Sequence, residues 1–456
     1  MITDLTQGKP SKKLFNLALP MVLSMVFQQL YNLIDSIIVG RFVGGNALYA
    51  VGSSYSLTMI FMAVATGASI GITVVAGKYF GGKKYGDLKT TVSTAFIGMF
   101  VLALIFTVAG ALLSRPILLL LGTPDYIMKE ATSYLQIFFF GLAFIYIYNV
   151  VSGAFAAVGD SKTSLIFLII SSVLNIALDL LFVCVFKMGV AGAAWATLIS
   201  QAVSAIPAAI VLYMRLVKLE SDRVPWFDFM HLRIILRIAI PSIIQHSIVS
   251  LGNLFIQERV NYFSQDNGAV GVAYTAAIKL NTFAVNCFVT MGNAMSSFAA
   301  QNLGAGKADR VKKGCVSGIL ISACIAVPFI LVYCLFGDSA IMLFMTENTS
   351  DNIAEIIRIG RQFLYIVSPF YLLIPVKIIM DGVLRGGERM FEFMSSTFSD
   401  LLLRVAFAYI LTLWTPLGET GIWWAWPIGW VISIGISLGC YLSGRWQGKL
   451  KEKKVG

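Results

Sequence analysis

The chain has 456 residues, of which 58% are hydrophobic and 12% are charged, and its formal net charge is +11. Soluble domains carry about 25% charged residues, so this chain has too little polar surface to cover a soluble fold. Together with a mean hydropathy of +0.82, the composition excludes an ordinary soluble globular protein and indicates a polytopic membrane protein.

Long apolar segments recur along the whole chain. A membrane-spanning helix needs about 20 mostly apolar residues, whereas a barrel strand has about ten residues of alternating polarity. The segments here are continuous, so they predict helices and an all-α integral membrane fold. The twelve predicted spans are 14–39, 49–77, 91–113, 130–156, 163–186, 190–214, 233–262, 271–300, 314–336, 357–384, 393–414 and 420–443.

The basic charge is concentrated on one side of the membrane. With the N-terminus placed in the cytoplasm, the predicted inside segments hold 24 of the 34 Lys and Arg residues, and the outside segments hold 7. This excess follows the positive-inside rule. We therefore predict that both termini are cytoplasmic, and that the charge sets the topology rather than binding nucleic acid.

The sequence divides into two related halves of six predicted spans each. Pro20 and Pro241 lie near the starts of spans one and seven. Three further motif pairs follow in the same order: FGGKKYGDLK (80–89) with LGAGKADRVK (303–312), GAFAAVGD (153–160) with GVLRGGE (382–388) after deletion of one residue, and GVAGAAWA (189–196) with GETGIWWA (418–425).

An even number of spans in each copy predicts two parallel, pseudo-symmetric six-helix lobes. Transporters built from repeats place the substrate path at the interface of the repeats and rock the lobes about it. The predicted domains are an N-lobe (1–214), a cytoplasmic linker (215–232), a C-lobe (233–444) and a cytoplasmic tail (445–456).

Ionisable side chains inside the predicted spans are the strongest functional signal. Such groups cost several kcal/mol in a bilayer and normally face a cavity or a partner. Polar residues of span one share one helix face with an acid, because their spacings are three, four and seven. These residues are Gln28, Tyr31, Asn32 and Asp35.

Asn175 and Asp179 likewise share one face of span five. Two acids on separate helices of one lobe, each beside hydrogen-bonding side chains, predict a shared cation site. The pair Asp35 and Asp179 could take up a proton near neutral pH, or hold Na⁺ through carboxylate and amide oxygens. The alternative is that each Asp only holds neighbouring helices together.

The second half carries a different set of intramembrane charges. Asp400 and Arg404 replace Asn175 and Asp179 in the repeat, and their spacing predicts an ion pair with a structural role. Lys377 and Asp381 are also four apart and can neutralise each other. Lys279 and Lys377 are candidate substrate-binding residues. Tyr146, Ser152 and Gln201 in the first half, with Gln28 and Asn32, are the other candidates for contact with the substrate.

The chain resembles the multidrug and toxic compound extrusion (MATE) transporters over nearly its whole length. The matching pieces are VGRFVGG after span one, QNLGAGK after span eight, VLRGGE after span ten, and LNIALDLLFV followed by MGVAGAAWATLISQ. Within the family it is most similar to the bacterial branch with an acidic N-lobe. The resemblance implies a twelve-helix, V-shaped exporter driven by H⁺ or Na⁺.

The resemblance also implies an N-lobe cation site built from spans one, four, five and six. Pro20 matches a proline at which span one bends. In another branch of the family, acids on spans seven and ten of the C-lobe bind Na⁺, but IIQHSIVS (243–250) in span seven has no acid. The residues that match the N-lobe site are Gln28, Tyr31, Asp35, Asn149, Asn175, Asp179 and Thr197.

We therefore expect an antiporter in the bacterial plasma membrane that exports amphipathic, often cationic, organic molecules. We expect a monomer in the lipid bilayer, without nucleic acid and without a cofactor beyond the coupling ion, H⁺ or Na⁺. If the ion is Na⁺, its expected ligands are Asp35, Asp179 and Asn175. The alternative is a lipid or lipid-linked-sugar flippase of the same superfamily. An enzyme is not expected, because the sequence has no HExxH motif, nucleophile motif or His/Cys cluster.

Overall fold

A computed structural model describes residues 2–120, 123–344 and 352–450, and the regular elements in those ranges are all helices. This confirms the predicted all-α membrane fold. The helices are α1 (Pro10–Phe42), α2 (Gly45–Gly81), α3 (Tyr85–Leu120), α4 (Asp125–Ala157), α5 (Ser161–Asp179) with a π-helical continuation (Leu180–Val185), α6 (Gly189–Val217), α7 (Phe229–Asp266), α8 (Gly268–Gly304), α9 (Ala308–Leu335), α10 (Gly337–Met342), α11 (Ile353–Val367) with a 3₁₀ continuation (Ser368–Leu372), α12 (Ile374–Gly386), α13 (Met390–Trp414), α14 (Thr420–Leu442) and a final 3₁₀ segment (Arg445–Leu450).

Eleven helices in the described ranges are long and apolar enough to cross a membrane. A twelfth span results when Ile353–Leu372 and Ile374–Gly386 count as one broken helix, bent by 52°. Pro369 and Pro375 lie in the first turns of the two segments that follow Val367. A proline removes a backbone donor and disfavours helix in the residue before it, so the predicted tenth span bends here.

The described residues form two compact units, and both α1 and α7 are divided between them. Each unit is mainly one half of the sequence. A short segment of each half belongs to the other unit: Ala300–Gly306 to the first and Gly8–Phe15 to the second. The predicted boundary at the 215–232 linker stays a prediction. The first unit is Asn16–Ile243 with Met1–Gln7 and Ala300–Gly306, and the second is Ile244–Ala299 and Lys307–Gly456 with Gly8–Phe15.

Two glycines of the first unit let the last turns of α2 and α8 approach closely. A Cβ atom on Gly81 would overlap the carbonyl oxygen of Gln301, and one on Gly304 would overlap that of Lys78. Gly81 and Gly304 hold equivalent places in the motifs FGGKK and LGAGK. The contact is therefore reciprocal, with each half of the repeat supplying one glycine and one backbone carbonyl.

Backbone conformations in the turns between helices support the sequence repeat and correct the alignment of one motif pair. Lys83 and Gly306 both have positive φ, at 58° and 73°, and so do Gly189 and Gly418, at 61° and 55°. Gly159 and Glu388 form a third such pair, at 74° and 61°. The match of 153–160 with 382–388 therefore runs without a gap, and the predicted one-residue deletion is wrong.

Replacing Gly304 by Ala should destabilise the protein. The added Cβ must push the backbone of Lys78 away, and overpacking of this kind costs typically about 1–3 kcal/mol. Gly435→Ala is the matched control, since no atom lies within 4 Å of its added Cβ. We expect a lower thermal unfolding midpoint in detergent for Gly304→Ala and an unchanged or higher one for Gly435→Ala. Equal midpoints would contradict the close crossing.

Candidate functional site

Apolar packing brings the second half of α1 against the end of the fifth span. Ile38 and Val39 of α1 are buried in one cluster with Val183 of the π-helical segment and with the start of α6. Asp35 lies one turn before Val39, and Asp179 lies one turn before Val183. The hydrophobic contact therefore sets the two acidic side chains side by side.

The carboxyl groups of Asp35 and Asp179 lie within hydrogen-bonding reach of each other, so that a proton on one could be donated to the other. Asp179 is fully buried, and Asp35 is half-buried. Oδ1 of Asp35 and both side-chain oxygens of Asp179 are buried and receive no hydrogen bond from the described residues. Two carboxylates in contact at a site this poorly hydrated repel each other, so the geometry favours binding of a proton or another cation.

The helix widens immediately after Asp179. Residues Leu180–Val185 form a π-helical segment. At its end, Phe186 donates its backbone N–H to the carbonyl of Leu181, five residues earlier, at 2.9 Å. Short π-helical segments occur frequently at functional sites, because the extra residue re-aims the side chains beside it. Nothing in the sequence LLFVCV predicts this change, and it lies directly beside the acid pair.

Asn175 and Thr197, two of the predicted cation-site residues, are brought together. The Asn175 side chain donates Nδ2–H to the Thr197 hydroxyl at 3.4 Å, while Asn175 Oδ1 is buried without a partner in the described chain. Thr197 and Gln201 line a cavity of about 20 Å³ together with Tyr134. That volume holds roughly one water molecule.

Tyr134 of α4 is a member of the site that the sequence analysis missed. Its phenol group lies near Asp35, Asp179 and Tyr31. It also packs against the apolar cluster that joins α1 to the fifth span. A tyrosine in an apolar span was the available signal, but tyrosines are common in membrane helices, so it pointed to no site by itself.

A chain of polar side chains leads away from the acid pair. Tyr31 is hydrogen-bonded to Gln28 and lies near both Asp35 and Tyr148. The Tyr148 hydroxyl donates to the carbonyl of Ser164 at 3.3 Å. The Ser164 hydroxyl in turn lies 3.0 Å from the hydroxyl of Ser152. Gln28 and Tyr31, which were predicted to share one face of span one, therefore lie in one polar strip with Ser152, a predicted substrate contact on α4.

Four other predicted residues have surroundings of a different kind. Asn149 donates its side-chain N–H to the carbonyl of Ile145 in its own helix, at 2.9 Å. Tyr146 is fully buried and donates to the carbonyl of Phe61 at 3.2 Å. Asn32 is exposed, and α1 continues as a helix through Pro20. The predicted roles of these residues in cation binding, substrate binding and bending stay predictions.

In the second unit the intramembrane acids are paired with bases. Lys377 Nζ lies 2.7 Å from Asp381 Oδ2, and the Ser437 hydroxyl donates to Asp381 Oδ1 at 2.7 Å. Arg404 lies 2.9 Å from Asp400, which confirms the predicted ion pair. Both pairs neutralise their charges locally.

The two lysines predicted to bind substrate differ in their surroundings. Lys377 is buried within its ion pair, whereas Lys279 is exposed with Nζ 5.6 Å from the centre of the Phe344 ring. The predicted roles of Lys279 and Lys377 in substrate binding stay predictions.

The gap-free repeat also corrects which residues correspond between the halves. The same spacing separates Gly159 from Glu388 and Gly189 from Gly418, so it holds at both ends of the intervening helix. Arg404 therefore stands at the place of Asn175. The place of Asp179 is taken by Ala408, which is buried in the apolar core of the second unit. The earlier match of Asp400 and Arg404 to Asn175 and Asp179 is one helical turn out of step.

The donor set of the first unit fits a hard cation or a proton. The described residues contain no group of three or more His, Cys, Asp and Glu side chains that could hold a metal. Asp35 and Asp179 offer carboxylate oxygens, and Asn175 offers an amide oxygen without a partner. Oxygen ligands of this kind suit a hard cation that arrives as cargo.

The fold is that of a polytopic, all-α membrane transporter. The MatE family model matches residues 20–181 and 241–410, and the chain belongs to this family, the MATE transporters. It is 29% identical over 446 residues to the Probable multidrug resistance protein YoeA of Bacillus subtilis, covering 95% of this chain and 94% of that protein. A second B. subtilis relative, the Probable multidrug resistance protein YpnP, is 28% identical over 97% of both chains.

A solved structure has the same fold over nearly the whole chain. It is described as a MOP superfamily transporter from Pyrococcus furiosus, and it superposes with a TM-score of 0.89 over 98% of both chains, at 24% identity. At this identity the likeness concerns the fold alone. It agrees with the predicted family architecture.

Asp179→Asn should leave the protein as stable as wild type or more stable. Asn is nearly isosteric, and it removes a buried charge that has no partner in the described chain. Asp400→Asn should instead destabilise by about 3–5 kcal/mol, because it leaves the buried Arg404 without its counter-charge. Thermal unfolding midpoints in detergent compare the two.

The difference between Asp179→Asn and wild type should grow as the pH rises, because only the wild-type carboxyl loses a proton. A loss of stability in Asp179→Asn as large as that in Asp400→Asn would contradict the description of Asp179 as unpaired.

Proposed function

We propose that this transporter is a cation-coupled antiporter that exports amphipathic, often cationic, organic molecules. The observation that carries the proposal is the contact between Asp35 and Asp179, in which Asp35 Oδ1 and both Asp179 oxygens receive no hydrogen bond from the described residues. Carboxylates inside a membrane domain commonly mark ion pathways and proton relays. A pair that needs an external positive charge is a natural coupling site.

We favour the proton as the coupling ion. Two carboxyl groups in contact are joined by one proton, which neutralises one carboxylate and donates a hydrogen bond to the other. Na⁺ would need further oxygen ligands, of which Asn175 Oδ1 and the Thr197 hydroxyl are the nearest candidates. The two ions therefore make different demands on Asn175.

The proposed cycle exchanges one cation for one substrate molecule. A proton that enters from outside binds between Asp35 and Asp179 and removes the negative charge of the pocket. The neutral pocket holds a cationic substrate less tightly, and α1 bends near Pro20 as the substrate leaves outward. Release of the proton to the cytoplasm restores the charge, and rocking of the lobes alternates access. The membrane potential contributes roughly 2.3 kcal/mol per charge per 100 mV.

The substrate class is proposed from the family and from the acidic pocket. YoeA and YpnP are both described as probable multidrug resistance proteins. Paired carboxylates in an otherwise apolar lobe favour a molecule that is itself apolar with a positive group. Ethidium and norfloxacin are suitable probes because each combines an aromatic ring system with a cationic group.

Asp35→Asn and Asp179→Asn should each abolish coupled transport. Neither amide can take up a proton near neutral pH, so the imposed gradient no longer drives the cycle. Efflux of ethidium or norfloxacin is measured in proteoliposomes under a pH gradient and, separately, under a Na⁺ gradient. Asp309→Asn is the control, since Asp309 is a largely exposed acid in the first turn of α9.

We expect wild-type rates for Asp309→Asn and background rates for both site variants. If Asp35→Asn and Asp179→Asn both transport at the wild-type rate under each gradient, the acid pair is not the coupling site.

Asn175→Leu distinguishes between H⁺ and Na⁺ as the coupling ion. Leu has nearly the same size as Asn but no oxygen, so a Na⁺ site would lose a ligand while the contact between the carboxyl groups would remain. We expect transport driven by the pH gradient to fall by less than about tenfold, which corresponds to roughly 1.4 kcal/mol. Retained pH-driven transport supports the proton, whereas activity that depends on Na⁺ and is lost in Asn175→Leu would support sodium.

A further inference from the structure

A groove of about 560 Å³ lies between the first turns of α3 and the last turns of α6, within the first unit. Its walls are almost wholly apolar, and the linker between α6 and α7 forms part of them. Small-molecule sites have volumes of about 300–1,000 Å³, so the groove is large enough for a ligand. Its walls include Phe96 and Ile97 of α3, Ile210 and Val217 of α6, and Val224 and Pro225 of the linker.

The linker is held in place by polar contacts at both ends. Lys89 of α3 donates Nζ–H to the carbonyl of Leu219 at 2.7 Å. Farther along, the backbone N–H of Asp228 donates to the Thr94 hydroxyl at 3.1 Å. Both anchoring side chains belong to the first three turns of α3. These contacts therefore fix the part of the groove wall that the linker supplies.

Lys89 is also the one charged side chain among the residues that line the groove. Its ammonium group has three N–H donors, and the contact with Leu219 uses one of them. Lys89 is half-buried at the edge of an apolar surface. This arrangement offers a positive charge and free donors to an anionic group whose apolar part lies in the groove.

Two largely exposed aromatic side chains also line the groove. The rings of Tyr213 and Trp226 stack at an angle of 16° with centroids 6.4 Å apart. They are 56% and 68% exposed, which is high for large aromatic side chains in this protein. Tyr and Trp concentrate where a membrane meets water, at the level of the lipid headgroups. The pair therefore marks the depth of the headgroups beside Lys89.

We propose that the groove binds a glycerophospholipid of the leaflet that the Lys and Arg distribution assigns to the cytoplasm. An acyl chain lies between α3 and α6, the phosphate accepts hydrogen bonds from Lys89, and Tyr213 and Trp226 flank the headgroup. The bound lipid fills an opening between two spans and rests on the linker that joins the two halves of the sequence. The basic C-terminal segment is a poor occupant, because it carries the same sign of charge as Lys89.

Brominated lipids test the proposal, since bromine quenches tryptophan fluorescence only at short range. Full-length protein is delipidated in detergent and titrated with brominated phosphatidylglycerol. We expect a saturable component of quenching that Trp226→Phe removes. Trp414→Phe is the matched control: Trp414 is 79% exposed, lies at the end of α13, and should leave the saturable component intact.

Two groove variants test the binding mode. Ser93→Phe places a ring in the groove and should weaken saturable quenching severalfold without touching the linker contacts. Lys89→Met should weaken binding of brominated phosphatidylglycerol by roughly fivefold. It should leave the weaker binding of brominated diacylglycerol, which has no phosphate, unchanged.

Some results would overturn the proposal. One is quenching that rises only in proportion to total lipid, and another is a saturable component that survives in Trp226→Phe. If Lys89→Met weakened both lipids equally, the phosphate assignment would be wrong. If dimerisation or added ethidium, and not lipid, shielded Trp226, another occupant would hold the groove.

Discussion

The contact between Asp35 and Asp179 is the constraint on which the proposed coupling of this transporter to a cation depends. Apolar packing of Ile38 and Val39 against Val183 forces the two acids together. The described chain supplies no donor to three of their oxygens, and we propose that a cation from outside the protein completes the site. Burial of an unsatisfied charge lowers the stability of the folded protein. A site that binds a cation reversibly can couple transport to an ion gradient.

The two halves of the repeat differ in the acids that lie in the middle of their spans. In the second unit, Lys377 pairs with Asp381 and Arg404 with Asp400, at 2.7 and 2.9 Å. The gap-free repeat places Ala408 where the first half has Asp179. The architecture of a six-helix half therefore does not need an acid at that position. The contact between Asp35 and Asp179 is therefore not needed by the scaffold that the two halves share, which supports the proposal that it is the coupling site.

The membrane spans and the Asp400–Arg404 ion pair could be predicted from the sequence, because each depends on residues that are close together in the chain. Apolar length gave the spans, and i, i+4 spacing gave the Asp400–Arg404 pair. The π-helical segment after Asp179 could not be predicted, because Leu180–Val185 is as apolar as any helical turn nearby. The role of Tyr134 depends on which helices meet, which a single sequence does not contain. The false deletion in the repeat arose because Asp160 was matched to Glu388, whereas backbone conformation matches Gly159 to it.

Infrared difference spectroscopy of the purified transporter tests the central claim most directly. A protonated carboxyl group has a carbonyl stretching band that a carboxylate lacks. The account predicts one such band near neutral pH that disappears in both Asp35→Asn and Asp179→Asn and persists in Asp309→Asn. A wild-type spectrum without a protonated carboxyl band at any pH between 5 and 8, or a band that persists unchanged in both site variants, would contradict it.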